Sequence, residues 1–147
     1  MKNEPFVIER IYDAPIAKVW EAITNRDKME QWYFKLEEFK PEVGFKFEFT
    51  GGDDKMQYLH ECIVQEVVPG RKISHTWRYP HYEGNSLVTW ELFEEGNKTR
   101  LRLTHEGLET FPKSNSSFAK ESFAAGWTHI TGILLKEFVE KAPQNNN

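Results

Sequence analysis

The window from Asn115 to Lys141, NSSFAKESFAAGWTHITGILLKEFVEK, constrains the fold most, because no other stretch of this length carries a helical period. Phe123, Trp127, Ile130, Leu134 and Phe138 recur at steps of three and four. That spacing sets them along one face of a helix roughly 40 Å long, at about 1.5 Å per residue. Such a stripe has to be covered by the rest of the chain. Ala119, Ser122, Gly126 and Thr131 thin its first half, which predicts either close packing or a gap beside the Trp127 ring.

The preceding residues supply a cover. Phe45, Phe47 and Phe49 alternate with Lys46 and Glu48, the pattern of a strand with one buried face. After the Pro69-Gly70 turn, Ile73, His75, Trp77 and Tyr79 repeat the pattern, followed by Val88, Trp90 and Leu92, then Leu101, Leu103 and His105. Consecutive strands joined by short turns make an antiparallel meander, apolar on one side and wet on the other. From Gln57 to Val68 the phase stays open: either Tyr58, Cys62 and Val64 or Leu59, Ile63 and Val67 face inward.

Upstream, Phe6 to Tyr12 reads as a strand, and Pro15 fits the first turn of a helix with Val19, Trp20 and Ile23 on one face. Asp27 with Glu30 has the form of a capping box for a second short helix carrying Met29, Trp32 and Tyr33. A one-faced sheet and a one-faced helix bury their apolar sides by packing together. The expected fold is therefore α+β: strand, two short helices, about six strands, then the long helix. At 147 residues the chain is read as one domain, with Pro143 to Asn147 as a frayed tail.

Charge and cysteine usage narrow the function. A net charge of -4, with 23 acidic residues and no basic stripe, argues against nucleic acid or an anionic membrane as partner. The opening MKNEPFVIER has no signal-peptide core or spanning segment, and Cys62 has no disulfide partner, so a cytoplasmic location is expected. His60-Glu61 and His105-Glu106 lack metal-ligand spacing, and the turn glycines open no phosphate or dinucleotide loop, so no metal or cofactor is expected. Cys62 and His60 share a strand face, a weak candidate for a nucleophile and its base.

The ordered set Glu9-Arg10-Ile11-Tyr12-Asp13-Ala14-Pro15 with Val19-Trp20, Trp32, Gly44-Phe45, Val68-Pro69-Gly70-Arg71, Thr76-Trp77, Thr99-Arg100-Leu101 to His105-Glu106-Gly107 and Gly126-Trp127 spans almost the whole chain. It resembles the family named for the activator of the ninety-kilodalton heat-shock protein's ATPase, a START-like, birch-pollen-allergen-like group. The resemblance implies a helix-grip fold, a curved antiparallel sheet of six or seven strands wrapped around a C-terminal helix. That superfamily holds apolar-ligand carriers, cyclases, hydrolase-like members and co-chaperone modules, so the fold alone does not select a function.

With 11 Phe, 5 Tyr and 5 Trp, the chain has enough rings to line a pocket or to fill one. The expected site is a cavity for a small apolar or amphipathic ligand between sheet and helix. Its walls would be Phe45, Phe47, Trp77, Tyr79, Trp90 and Trp127, with Ile130 and Leu134 from the helix and His75 or His105 as polar contact. Two other readings stand beside it: a chaperone-binding module using an outer surface, and a cyclase- or hydrolase-type enzyme using the same cavity.

Overall fold

The computed structural model describes residues 5–33, 36–52, 57–112, 114 and 118–141. The elements follow the expected order. Strand β1 (Phe6–Tyr12) leads into helices α1 (Ile16–Thr24) and α2 (Arg26–Trp32). Then come β2 (Lys46–Gly52), β3 (Gln57–Val68), β4 (Lys72–Trp77), β5 (Ser86–Glu95) and β6 (Lys98–Glu106). The terminal rod is α3 (Lys120–His129), a π-helical turn (Ile130–Leu134) and α4 (Leu135–Glu140).

The strands form one six-stranded sheet, ordered β1-β6-β5-β4-β3-β2, and every pairing is antiparallel. β2 to β6 are successive neighbours, and β1 joins the far side through β6. This is the low end of the expected strand count. The alternating residues lie inside as predicted: Phe47, Phe49, Ile73, His75, Trp77, Tyr79, Val88, Trp90, Leu92, Leu101, Leu103 and His105 are all buried.

The ambiguity of β3 has a structural cause. Tyr58, His60, Cys62 and Val64 face inward, while Leu59 and Ile63 are exposed. A register shift between Val64 and Glu66 then inserts an extra residue, so Val67 becomes the half-buried one. The inward phase changes mid-strand, as a β-bulge requires, and no single alternation can describe it.

Two local expectations are corrected. The cap of α2 is Asn25, whose side chain accepts from Lys28 N–H at 3.1 Å, whereas Asp27 lies in the first turn and pairs with Arg26. Pro15 stands at the N-cap of α1, one place ahead of the helix. The expected helix start at Asn115 falls outside the described residues. Phe118 and Ala119 precede the helix, and the buried Phe118 ring packs on Tyr79 at 4.6 Å and Tyr58 at 5.1 Å.

The buried face of the rod also differs from the expected stripe. Phe123, Trp127, Thr131, Leu135 and Val139 are its buried residues, while Ile130, Leu134 and Phe138 are half-buried against the core. In a regular α-helix each four-residue step overshoots a full turn by about 40°, so a column at that spacing would spiral off the sheet. The π turn takes in an extra residue and keeps the column facing inward, as Leu135 N–H donating to Ile130 O shows.

Side chains hold the π turn in place. Tyr12 Oη donates to Thr131 O at 2.7 Å, Thr131 Oγ1 donates to Trp127 O at 2.7 Å, and Arg10 Nε reaches Thr131 Oγ1 at 3.3 Å. Gly132 lies against the Arg10 guanidinium, where an added Cβ would stand 3.0 Å from its nitrogen. Tyr12→Phe removes the buried donor to Thr131 and is expected to cost about 1 kcal/mol in urea unfolding without changing the denaturant slope. No loss would show that the hydroxyl does not stabilise the turn.

Candidate ligand chamber

The inner faces of β2 to β6, the rod and α2 enclose a continuous cluster of rings. Trp127 is its hub, 5.3 Å from Trp77, 5.6 Å from Trp90 and 5.9 Å from His105. Phe47 meets His75 edge-on at 5.2 Å, and Phe49 stacks on His60 at 4.5 Å. Tyr79 contacts Phe111 at 5.3 Å and His60 at 4.9 Å. These are the offset and edge-to-face distances at which aromatic pairs attract.

The polar atoms of this cluster satisfy one another. Trp127 Nε1–H donates to His105 Nδ1 at 3.0 Å, which leaves the His105 proton on Nε2. That proton is donated to Ser86 Oγ at 2.8 Å, and the Ser86 hydroxyl donates to Trp77 O at 2.7 Å. Trp90 Nε1–H donates to His75 Nε2 at 3.2 Å, so the His75 proton sits on Nδ1 and points to Thr76 O at 3.0 Å. Trp77 Nε1–H donates to Tyr79 Oη at 2.9 Å.

Burial keeps these imidazoles neutral. Desolvation pushes His60 and His75 down to about 4, and His105 to about 3, with His75 and His60 adding repulsion at His105. The tautomers matter for chemistry. Ser86 beside His105 has the spacing of a nucleophile and its base, but the Trp127 bond consumes the Nδ1 lone pair and the Nε2 proton faces the serine. In that state His105 cannot take the Ser86 proton. Burial raises the Cys62 thiol well above its ordinary range, which disfavours the thiolate.

Of the residues expected to line a cavity, Phe47, Trp77, Tyr79, Trp90, Trp127, His75 and His105 lie in this interior. Phe45, Ile130 and Leu134 are half-buried at its margin. Beside α2 a void of about 10 Å³ remains, lined by Ile23, Met29, Trp32, Tyr33, Phe39, Phe47, Ile73, His75 and Trp90. It is roughly the size that holds one water.

Sequence reasoning therefore missed the far wall, which comes from α1, α2 and the segment after them. Met29, Trp32 and Tyr33 were legible as an apolar helix side, but nothing local tied them to Trp90. In the fold, Trp32 and Tyr33 stack at 4.9 Å and meet Trp90 edge-on at 6.4 and 6.0 Å. Within this wall Trp32 Nε1–H donates to Ala22 O at 2.8 Å, and Arg26 Nη1 donates to Leu36 O at 2.9 Å.

Among the described residues no three His, Cys, Asp or Glu side chains come together to hold a metal. Nor is any described helix long and apolar enough to cross a membrane.

A curved antiparallel sheet gripping a terminal helix, with two short helices after the first strand, defines the helix-grip architecture of START-like proteins. The sequence profile described as activator of Hsp90 ATPase homolog 1-like protein matches residues 13–140, and the chain belongs to that family. Among solved structures it is similar to MLL2253 from Mesorhizobium loti, at 25% identity and a TM-score of 0.76, over 95% of this chain and 99% of that one. BH1534 from Bacillus halodurans aligns at 27% identity and a TM-score of 0.71, over 92% and 96%. DynU16, a protein of the dynemicin biosynthetic locus, shares the fold at 21% identity and a TM-score of 0.77. The alignment covers 95% of this chain and 48% of DynU16. Among curated proteins no sequence matches this chain.

Proposed function

We propose that the chain binds a small, neutral, largely aromatic molecule between α2 and the inner face of β2, β4 and β5. The void beside α2 carries this reading, because its lining is apolar and aromatic apart from the His75 imidazole and the Tyr33 hydroxyl. Small-molecule sites have this composition, a greasy wall with few polar groups. Burial keeps His75 uncharged and holds Tyr33 well above the ordinary phenol range, so neither group favours a charged guest. A void of about 10 Å³ is a seed for such a site, and drug-sized ligands occupy about 300 Å³ or more. Binding therefore requires displacement of the wall. α2 is the element suited to move, being 7 residues long and too short to be stable without its tertiary contacts.

Trp32 and Trp90 line the void and report on it directly. Titration with neutral planar molecules such as flavones and naphthols is expected to give saturable quenching of tryptophan emission, with dissociation constants of about 1–100 µM. A sulfonated naphthalene of the same shape should bind at least about tenfold more weakly, because its charge would be buried without a partner. Unchanged emission across the neutral panel, with no ligand-induced shifts at Trp32 or Trp90 indole resonances, would overturn the reading.

A further inference from the structure

Strand β2 ends the sheet: it pairs with β3, and among the described residues no further strand lies beyond it. Its register places Phe47 opposite Cys62 and Phe49 opposite His60. Val64 N–H donates to Phe45 O at 2.9 Å, so by antiparallel alternation Phe47 and Phe49 also turn their peptide groups toward β3. Lys46, Glu48 and Thr50 turn theirs away from the sheet. The neighbouring strand agrees with this phase, since Ile63 N–H points the other way and donates to Thr76 Oγ1 at 2.8 Å. An open groove of about 700 Å³ follows this edge, lined by Glu37, Glu38, the strand from Phe45 to Thr50, and Leu59. Uncovered strand edges of this kind are templates for another strand.

We propose that the occupant is a second copy of the chain, pairing β2 to β2 antiparallel across a two-fold axis at Phe47. The charges on the strand select that partner and that register. With Phe47 opposite Phe47, Lys46 of each copy lies opposite Glu48 of the other, and both residues belong to the set with outward peptide groups. Two such pairs exchange four backbone hydrogen bonds and place opposite charges across the new seam. Sliding the copies by two residues one way sets Glu48 against Glu48, and the other way Lys46 against Lys46. Like charges directly opposite are unfavourable, so a single register is preferred. Within one copy Lys46 lies 2.9 Å from Glu61 of β3 and 3.7 Å from Glu48, so the partner's Glu48 would add a carboxylate on the open side of the same ammonium. The result is a continuous sheet through an isologous contact.

Sedimentation velocity of the full chain from about 10 µM to about 1 mM tests this, since a short edge seam gives a weak dimer. The expected result is a concentration-dependent rise from the 17.3 kDa monomer toward twice that mass. Lys46→Glu and Glu48→Lys should each abolish the rise, and the double exchange K46E/E48K should restore it. Glu48→Pro removes an outward N–H, which an edge strand tolerates, and should leave a folded monomer. Circular dichroism melting of each variant verifies that it folds. A chain that stays monomeric up to about 1 mM, or a dimer that survives Lys46→Glu and Glu48→Pro in folded protein, overturns the proposal.

Discussion

Trp127→Ala is expected to destabilise the chain by about 3–5 kcal/mol, the range for deleting a large buried aromatic side chain. Three features push the cost toward the upper end. The residue is 2% exposed, and its ring touches Trp77, Trp90 and His105, which approach it from three strands. Those neighbours are large rings with little freedom to collapse into the space left behind, so the cavity term stays. Truncation also removes the donor to His105 Nδ1, leaving a buried acceptor without its partner. For a chain of this size the thermal midpoint should fall by about 10–15 °C. Trp127→Phe separates the two contributions: it keeps most of the ring contact but loses the N–H, and about 1–3 kcal/mol is expected. Equilibrium urea unfolding measures both. A near-neutral Trp127→Ala would place the indole outside the core and remove the helix-on-sheet account.

The same residues show how far the primary structure could be read. Alternation in Phe45 to Phe49, Ile73 to Tyr79, Val88 to Leu92 and Leu101 to His105 is enforced by burial of one sheet face, so it survives into the fold and predicts it. Where a backbone irregularity intervenes, the pattern fails for a definite reason. β3 changes phase at the shift between Val64 and Glu66, and in the terminal rod the π turn at Ile130–Leu134 shifts the inward phase by one residue, to Thr131, Leu135 and Val139. In the rod the residue that goes inside is Thr131, a polar side chain that an apolar stripe passes over. It is buried because Tyr12, Arg10 and the Trp127 carbonyl meet its polar atoms. The candidate site was half legible. Its sheet wall followed from alternation, but its helical wall depends on where α2 docks, and the Ser86–His105 pair joins residues 19 apart with no local signature.

The buried imidazoles give the second large effect, a steep loss of stability in mild acid. His60 and His75 are pushed down to about 4 and His105 to about 3, from an ordinary value of 6.5. Each folded value lies below the unfolded one, so between them the unfolded chain binds more protons and stability falls as the pH drops. Above about pH 7.5 the three are almost wholly unprotonated in both states, and the curve should level off with respect to them. The loss begins near 6.5 and is complete only below the folded values. At pH 5 each histidine accounts for about 2 kcal/mol, a combined loss of about 6 kcal/mol from a total that is about 5–15 kcal/mol for a domain. Geometry supports the sign. A second proton on His105 would set an Nδ1–H against the Trp127 N–H, and one on His75 would set an Nε2–H against the Trp90 N–H, turning two hydrogen bonds into donor–donor contacts. Glu9, Glu61 and Glu140 are held below their ordinary value of 4.5 by Arg102, Lys46 and Lys136, so any acid sensitivity they add starts lower on the pH scale. Urea unfolding at half-unit steps from pH 7.5 to 5 should therefore show a slope approaching about 4 kcal/mol per unit near pH 5. Replacing His60 with phenylalanine, which keeps a flat ring against Phe49, removes one titrating group and should cut that slope by about a third. A stability profile that stays level from pH 7.5 to 5 would mean that water reaches these rings, and the proposal of a neutral chamber for an uncharged guest would have to be given up.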